Sequence, residues 1–132
     1  MTTVTLFSII ESPLHPDFSG VYQRANIQEL RFNSMRKAIN ALKKQQPDYI
    51  VAEFFYGYGN NYAGVNISNL DVFLYSLQRY APQARVIVMV DKSERQYVDK
   101  LNEIFTLHAI LQHPVSKEEV ANLLHKSEGK VN

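Results

Sequence analysis

Three stretches of this chain are apolar almost without a break: Val4 to Ile10, Tyr49 to Phe55 and Val86 to Val90. A strand with one wet face alternates apolar and polar side chains, whereas a strand covered on both faces has no reason to alternate. Such runs predict a parallel sheet flanked by helices, and Ala109-Ile110-Leu111 reads as a shorter strand of the same kind. Ile27 to Phe32 alternates imperfectly, which suits an edge position. Helical spacing fills the intervals. Met35, Ala38, Ile39 and Leu42 mark one helix face, and Leu70, Phe73, Leu74 and Leu77 a second. Tyr97, Val98, Leu101, Ile104 and Phe105 mark a third.

Helix starts carry their own signals, because the first backbone N–H groups need acceptors. Ser93 with Gln96, and Ser116 with Glu119, fit the reciprocal capping box. Val115 and Val120 fit the accompanying hydrophobic staple, and Pro82 helps to end the second helix. Ser12 to Ala25 is the irregular interval, since it holds Pro13, Pro16 and Gly20. A short or distorted first helix, or a loop, is expected there; a β-hairpin joining the first two strands is the alternative.

Strands alternating with helices in a chain of 132 residues predict one α/β domain. We assign it to residues 1–126, with a short polar tail at 127–132. Fourteen basic residues face thirteen acidic ones, so the surface makes no general appeal to nucleic acid or to an anionic membrane. With no cysteine there is neither a disulfide framework nor thiolate chemistry. Nothing at the N-terminus reads as a signal peptide, and no run approaches the roughly 18 apolar residues of a membrane span. A cytoplasmic location is the resulting expectation.

Two strand exits stand out. Pro47-Asp48-Tyr49-Ile50-Val51-Ala52-Glu53 is an apolar strand closed by an acid, and His113-Pro114-Val115-Ser116 leaves another strand for a helix start. Together they resemble the response-regulator receiver family of the chemotaxis-receiver type, with its Pro-Asp-(apolar)-Asp strand and its Lys-Pro-Val-Ser turn. The resemblance implies a flavodoxin-like three-layer sandwich with a five-stranded parallel sheet in the order 2-1-3-4-5. It also implies a cis peptide bond before Pro114, with the His113 imidazole directed towards the Glu53 edge. In that family two acids after the first strand and an acceptor aspartate hold Mg²⁺, while a Ser/Thr and a Lys contact the phosphoryl group. Carried onto this chain, the acid pair falls on Ile10 and Glu11, the acceptor on Glu53, the Ser/Thr on Val90 and the Lys on His113. The aromatic residue that many receivers reorient falls on Ile110.

These exchanges remove the chemistry while keeping the scaffold. Glutamate carries its carboxylate about 1.5 Å further out than aspartate, and misplacement by about 1 Å can cost around 100-fold in a positioned reaction. Valine has no hydrogen to donate, and an imidazole replaces a permanent cation poorly. Loss of one carboxylate weakens a Mg²⁺ site that needs near-octahedral oxygen ligands. The resemblance thus implies a degenerate pseudo-receiver with no catalytic residue, no metal and no cofactor. Glu53 itself reads as a partly exposed acid, hydrogen-bonded locally at a strand end. Mimicry of a phosphorylated aspartate, and a residual cation site between Glu11 and Glu53, are the sharper alternatives.

Phe54 to Gly64 is the other unusual stretch, with Phe55, Tyr56, Tyr58 and Tyr62 set among glycines and asparagines. Such composition suits a partner-binding loop; equally, one phenylalanine is core and the tyrosines fold back over the degenerate pocket. No basic residue lies between Glu53 and Arg79, which argues against base stacking on these rings. The four histidines, His15, His108, His113 and His125, lack the spacing of zinc ligands.

The function expected is a non-enzymatic, phosphorylation-independent interaction module of two-component-type signalling. Its partner would be a separate protein chain, and by analogy with receivers it would form a homodimer. The alternative is a flavodoxin-like small-ligand or cofactor-binding protein, or an enzyme, using a pocket ringed by Glu11, Glu53, Asp91 and the tyrosine loop. Ser12-Pro13-Leu14-His15-Pro16 is a poor phosphate cradle, because its two prolines offer no N–H donors.

Overall fold

The apolar runs become five parallel strands: β1 (Val4–Ile9), β2 (Ile27–Phe32), β3 (Tyr49–Glu53), β4 (Arg85–Val90) and β5 (Ala109–Gln112). They line up as β2-β1-β3-β4-β5, the flavodoxin-like order. The computed structural model describes residues 4–12, 17–56 and 68–128, so Pro13, His15, Pro16, Tyr58 and Tyr62 lie outside the described residues. Leu6 pairs with Ile27's strand on one side at Glu29 and with Tyr49 on the other, which fixes β1 as a central strand. The imperfectly alternating β2 is at the edge, as expected.

Strand pleat divides the core in two. Phe7, Ile9, Ile50, Ala52, Val86 and Val88 face α2 (Met35–Leu42) and α3 (Asp71–Tyr80). Leu6, Tyr49, Val51, Ile87 and Met89 face α1 (Ser19–Arg24) and α5 (Lys117–Glu128). Burial on both sides is why these strands carry apolar residues at consecutive positions. By the same alternation, Glu53 falls on the face of Tyr49 and Val51.

The irregular interval ends in a helix of only 6 residues, α1, and the parallel pairing of β1 with β2 excludes the hairpin. Both capping signals were testable, and they part company. Around Ser116 the box closes: Glu119 N–H donates to Ser116 Oγ at 3.1 Å, and Ser116 N–H donates to Glu119 Oε1 at 2.9 Å. Val115 and Val120 are buried in the same cluster beside it. Around Ser93 the expected box with Gln96 is replaced. Asp91 Oδ2 accepts from both the N–H and the hydroxyl of Ser93, at 3.0 and 2.6 Å. Engaged as a donor to Asp91, that hydroxyl turns away from the helix, so the chain enters a 3-10 turn (Lys92–Glu94) instead. The expected third helix is accordingly one α turn, α4 (Arg95–Val98), followed by a 3-10 segment (Asp99–Glu103). Its apolar face is nonetheless used, with Val98, Leu101 and Ile104 in the core. At the other end, α5 runs on through Glu128, into the segment read as tail.

Candidate functional site

Parallel strands deliver their carboxyl ends to one edge of the sheet, the edge where such folds bind ligands. Here that edge collects Glu11 and Ser12 after β1, Glu53 closing β3, Asp91 after β4 and His113 after β5. A cleft of about 560 Å³ opens between them, lined by Ser12, Glu53, Phe54, Phe55, Met89, Asp91, Ser93, Glu94, His113 and Pro114. The His113–Pro114 peptide bond is cis.

Glu53 is not the partly exposed, locally bonded acid that its strand-end position suggests. It is 4% exposed, and two of its partners lie about forty residues away along the chain. Its Oε1 accepts from Glu11 N–H at 3.2 Å and from Ser12 N–H at 3.0 Å. A buried carboxylate without donors is costly, and two backbone N–H groups offset that cost here. The longer side chain explains the geometry: its carboxylate extends past the strand end and meets the turn leaving β1.

Glu11 is held on its other side by Asn69. The Asn69 amide nitrogen donates to Glu11 Oε1 at 2.8 Å and to the Glu53 carbonyl at 2.9 Å. Its side-chain oxygen accepts from Phe55 N–H at 2.8 Å. One buried amide therefore ties together the exits of β1 and β3 and the entry to α3. Partial burial pushes the Glu11 carboxyl above its ordinary range; the Asn69 bond opposes this, and the nearby Glu53 carboxylate adds to it. Of the expected ring, Glu53 and Asp91 line the cleft and Glu11 and Tyr56 do not, while Tyr58 and Tyr62 lie outside the described residues.

The remaining expected positions are occupied as follows. The Val90 side chain is buried against the α2/α3 face, with its carbonyl accepting from His113 N–H at 2.9 Å. Ile110 packs, half buried, on the same cluster. Ile10 donates its N–H to the Phe32 carbonyl at 2.9 Å. Asp91 is in solvent, and the Ser93 hydroxyl and then the Ser93 N–H hold its carboxyl below the usual range. Phe54 is the core phenylalanine, and Phe55 is half buried at the cleft. Tyr56 folds onto the helical segment after β4: its ring stacks on Tyr97 with centroids 3.7 Å apart, and its N–H donates to Glu94 Oε1 at 3.1 Å.

Mg²⁺ of the receiver kind does not fit these residues. The Asn69 amide nitrogen sits on a Glu11 oxygen where a cation would need that oxygen, and Glu53 Oε1 takes two N–H donors. Among the described residues, no group of three or more His, Cys, Asp or Glu is placed to hold a metal ion.

Sequence reasoning missed Asn69, Ser68, Asp71 and Glu94. Ser68-Asn69-Leu70-Asp71 carried a readable signal, since a serine followed three residues later by an acid precedes an apolar helix. Asp71 Oδ1 accepts from Ser68 N–H at 2.7 Å and from Ser68 Oγ at 2.9 Å, and Ser68 Oγ accepts from Leu70 N–H at 3.0 Å. Asn69 carried no signal, because its partners are distant in sequence.

No protein-family model and no curated protein matches the sequence. Solved structures do match over nearly the whole chain. A response regulator receiver domain protein from Clostridium thermocellum is 11% identical, with a TM-score of 0.72 over 96% of this chain and 95% of that one. A response regulator from Thermotoga maritima is likewise 11% identical, with a TM-score of 0.72 over 95% of this chain and 97% of that one. The BeF3-activated DrrB receiver domain, also of Thermotoga maritima, is 12% identical, with a TM-score of 0.72 over 97% and 99%. The fold is that of receiver domains.

Proposed function

We propose that this chain is a pseudo-receiver: a non-enzymatic module of two-component-type signalling that acts through a protein partner and is not phosphorylated at Glu53. The observation that carries this reading is the engagement of Glu53. A phosphoryl acceptor must present a carboxylate oxygen in line with the donor, next to a cation. Here the carboxylate is buried and turned onto the Glu11 and Ser12 N–H groups. Val90, in the hydroxyl position, is directed into the core, and an imidazole at His113 stands where receivers carry lysine. With the transfer chemistry displaced, what the fold retains is surface. Tyr56, locked on Tyr97 and about half exposed, belongs to that surface, and we assign Phe55, Tyr58 and Tyr62 to the same docking loop. A cytoplasmic location and a homodimer, with the partner in a separate chain, complete the proposal.

Incubation with acetyl phosphate and Mg²⁺ tests it. The intact mass should remain unchanged for the wild type and for Glu53→Asp, because shortening the acid restores neither the hydroxyl donor nor the cation. A stable mass increase mapping to residue 53 in either protein would overturn the reading.

A further inference from the structure

We infer that the cleft at the carboxyl edge is an arginine-binding site, and that the partner docks by inserting an arginine side chain there. This rests on the interaction reading above and names the chemistry of the partner. The cleft has the volume of a specific binding site, about 560 Å³. Among the described residues its walls are apolar, from Phe54, Phe55, Met89 and Pro114, and its ionisable lining is three carboxylates and one imidazole. Among the described residues, neither lysine nor arginine lines it. Receiver-type phosphoryl recognition needs positive charge at this edge; this cleft has the opposite sign.

Two of the acids are preorganised. Asp91 Oδ2 is fixed by the N–H and hydroxyl of Ser93, and Glu94 Oε1 by the N–H of Tyr56. For Asp91 Oδ1 and Glu94 Oε2, no hydrogen bond is found among the described residues. A carboxylate held through one oxygen offers the other without further ordering cost, which is the principle of a preorganised site. The occupant must combine an aliphatic or planar body with a cationic head. A hydrated metal ion lacks the body, and among the described residues no metal-holding cluster exists. Arginine suits better than lysine, because its guanidinium is planar, weakly hydrated and able to donate to two carboxylates at once while its stem lies along apolar walls.

The test is an NMR titration of the full chain, ¹⁵N-labelled, with the capped peptide Gly-Gly-Arg-Gly-Gly. Its citrulline counterpart, which has the same shape without the charge, is the control. The arginine peptide should produce saturable shifts confined to amides around Phe55, Ser93, Glu94 and His113, with roughly millimolar affinity for a single side chain. Asp91→Asn and Glu94→Gln keep the oxygen that accepts from Ser93 or Tyr56, so the fold persists. Each should weaken binding about two- to fivefold, the worth of one solvent-accessible charge pair. Equal binding of the citrulline peptide, shifts elsewhere on the surface, or unchanged affinity in both variants would overturn the inference. Labelling of residue 53 by acetyl phosphate would sink the pseudo-receiver reading instead, so the two failures are distinguishable.

Discussion

At the β1/β3 side of the carboxyl edge, the hydrogen bonds that close the site join residues 14 to 58 positions apart, and they are buried or partly buried. At the β4 side, Asp91 and Ser93 are two positions apart and both bonds between them are in solvent. The first arrangement is a structural knot: each polar group there was taken from water and must be matched within the protein. The second is a local turn whose groups exchange protein partners for water at little cost. The contrast separates what the scaffold needs from what remains available to a partner. The acid that resembles a phosphoryl acceptor belongs to the knot, whereas Asp91 stays exposed to solvent.

The comparison breaks most directly at Asn69. Asn69→Ala should lower unfolding stability by about 3 kcal/mol, since it removes three hydrogen bonds, to Phe55 N–H, the Glu53 carbonyl and a Glu11 oxygen, in a buried or partly buried setting. Urea denaturation followed by far-UV circular dichroism measures it; a loss below about 1 kcal/mol would mean that water already serves these groups.

A smaller effect tests the two neighbouring acids. The Glu11 carboxyl is raised above its ordinary value of 4.5 by burial, and the Glu53 charge adds to the rise. A carboxyl that holds its proton more tightly when folded contributes stability below its unfolded value, and that contribution is lost as pH rises through the folded value. Glu11→Gln keeps an oxygen for Asn69 and removes the charge. It should therefore match or exceed wild type at pH 7, by no more than about 0.5 kcal/mol because water screens a half-exposed group. The difference should close below pH 4.5. Urea midpoints across pH 4 to 8 read this out, and a variant less stable at pH 7 than at pH 4 relative to wild type would reverse the sign assigned here.

The smallest effect belongs to Asp91. Asp91→Ala should leave the urea midpoint unchanged while hydrogen exchange at the Ser93 amide speeds up. A cooperative loss of stability would place Asp91 in the same knot as Glu53 and dissolve the distinction between the two sides.

How much was legible in advance follows the range of the forces. The runs Val4 to Ile10, Tyr49 to Phe55 and Val86 to Val90 announced β1, β3 and β4 to within two residues because burial on both faces is written in consecutive residues. Ser116 and Glu119 were legible for the same reason, three positions apart with nothing nearer to compete. Ser93 and Gln96 had the same spacing, but Asp91, two residues upstream, captured the serine first.

From sequence alone came the alternation of strand and helix, the acid at the end of β3 and the resemblance that set Ile10, Glu53, Val90 and His113 against receiver residues of other types while leaving Glu11 and Pro114 in place. Those are properties of single residues and their near neighbours. Only the tertiary structure decided that Glu53 is buried, that it bonds to the turn after β1, that Asn69 bridges both acids' segments and that Tyr56 stacks on Tyr97. The physical reason is that a hydrogen bond depends on atoms within about 3 Å, and parallel strands bring together atoms that lie tens of residues apart along the chain.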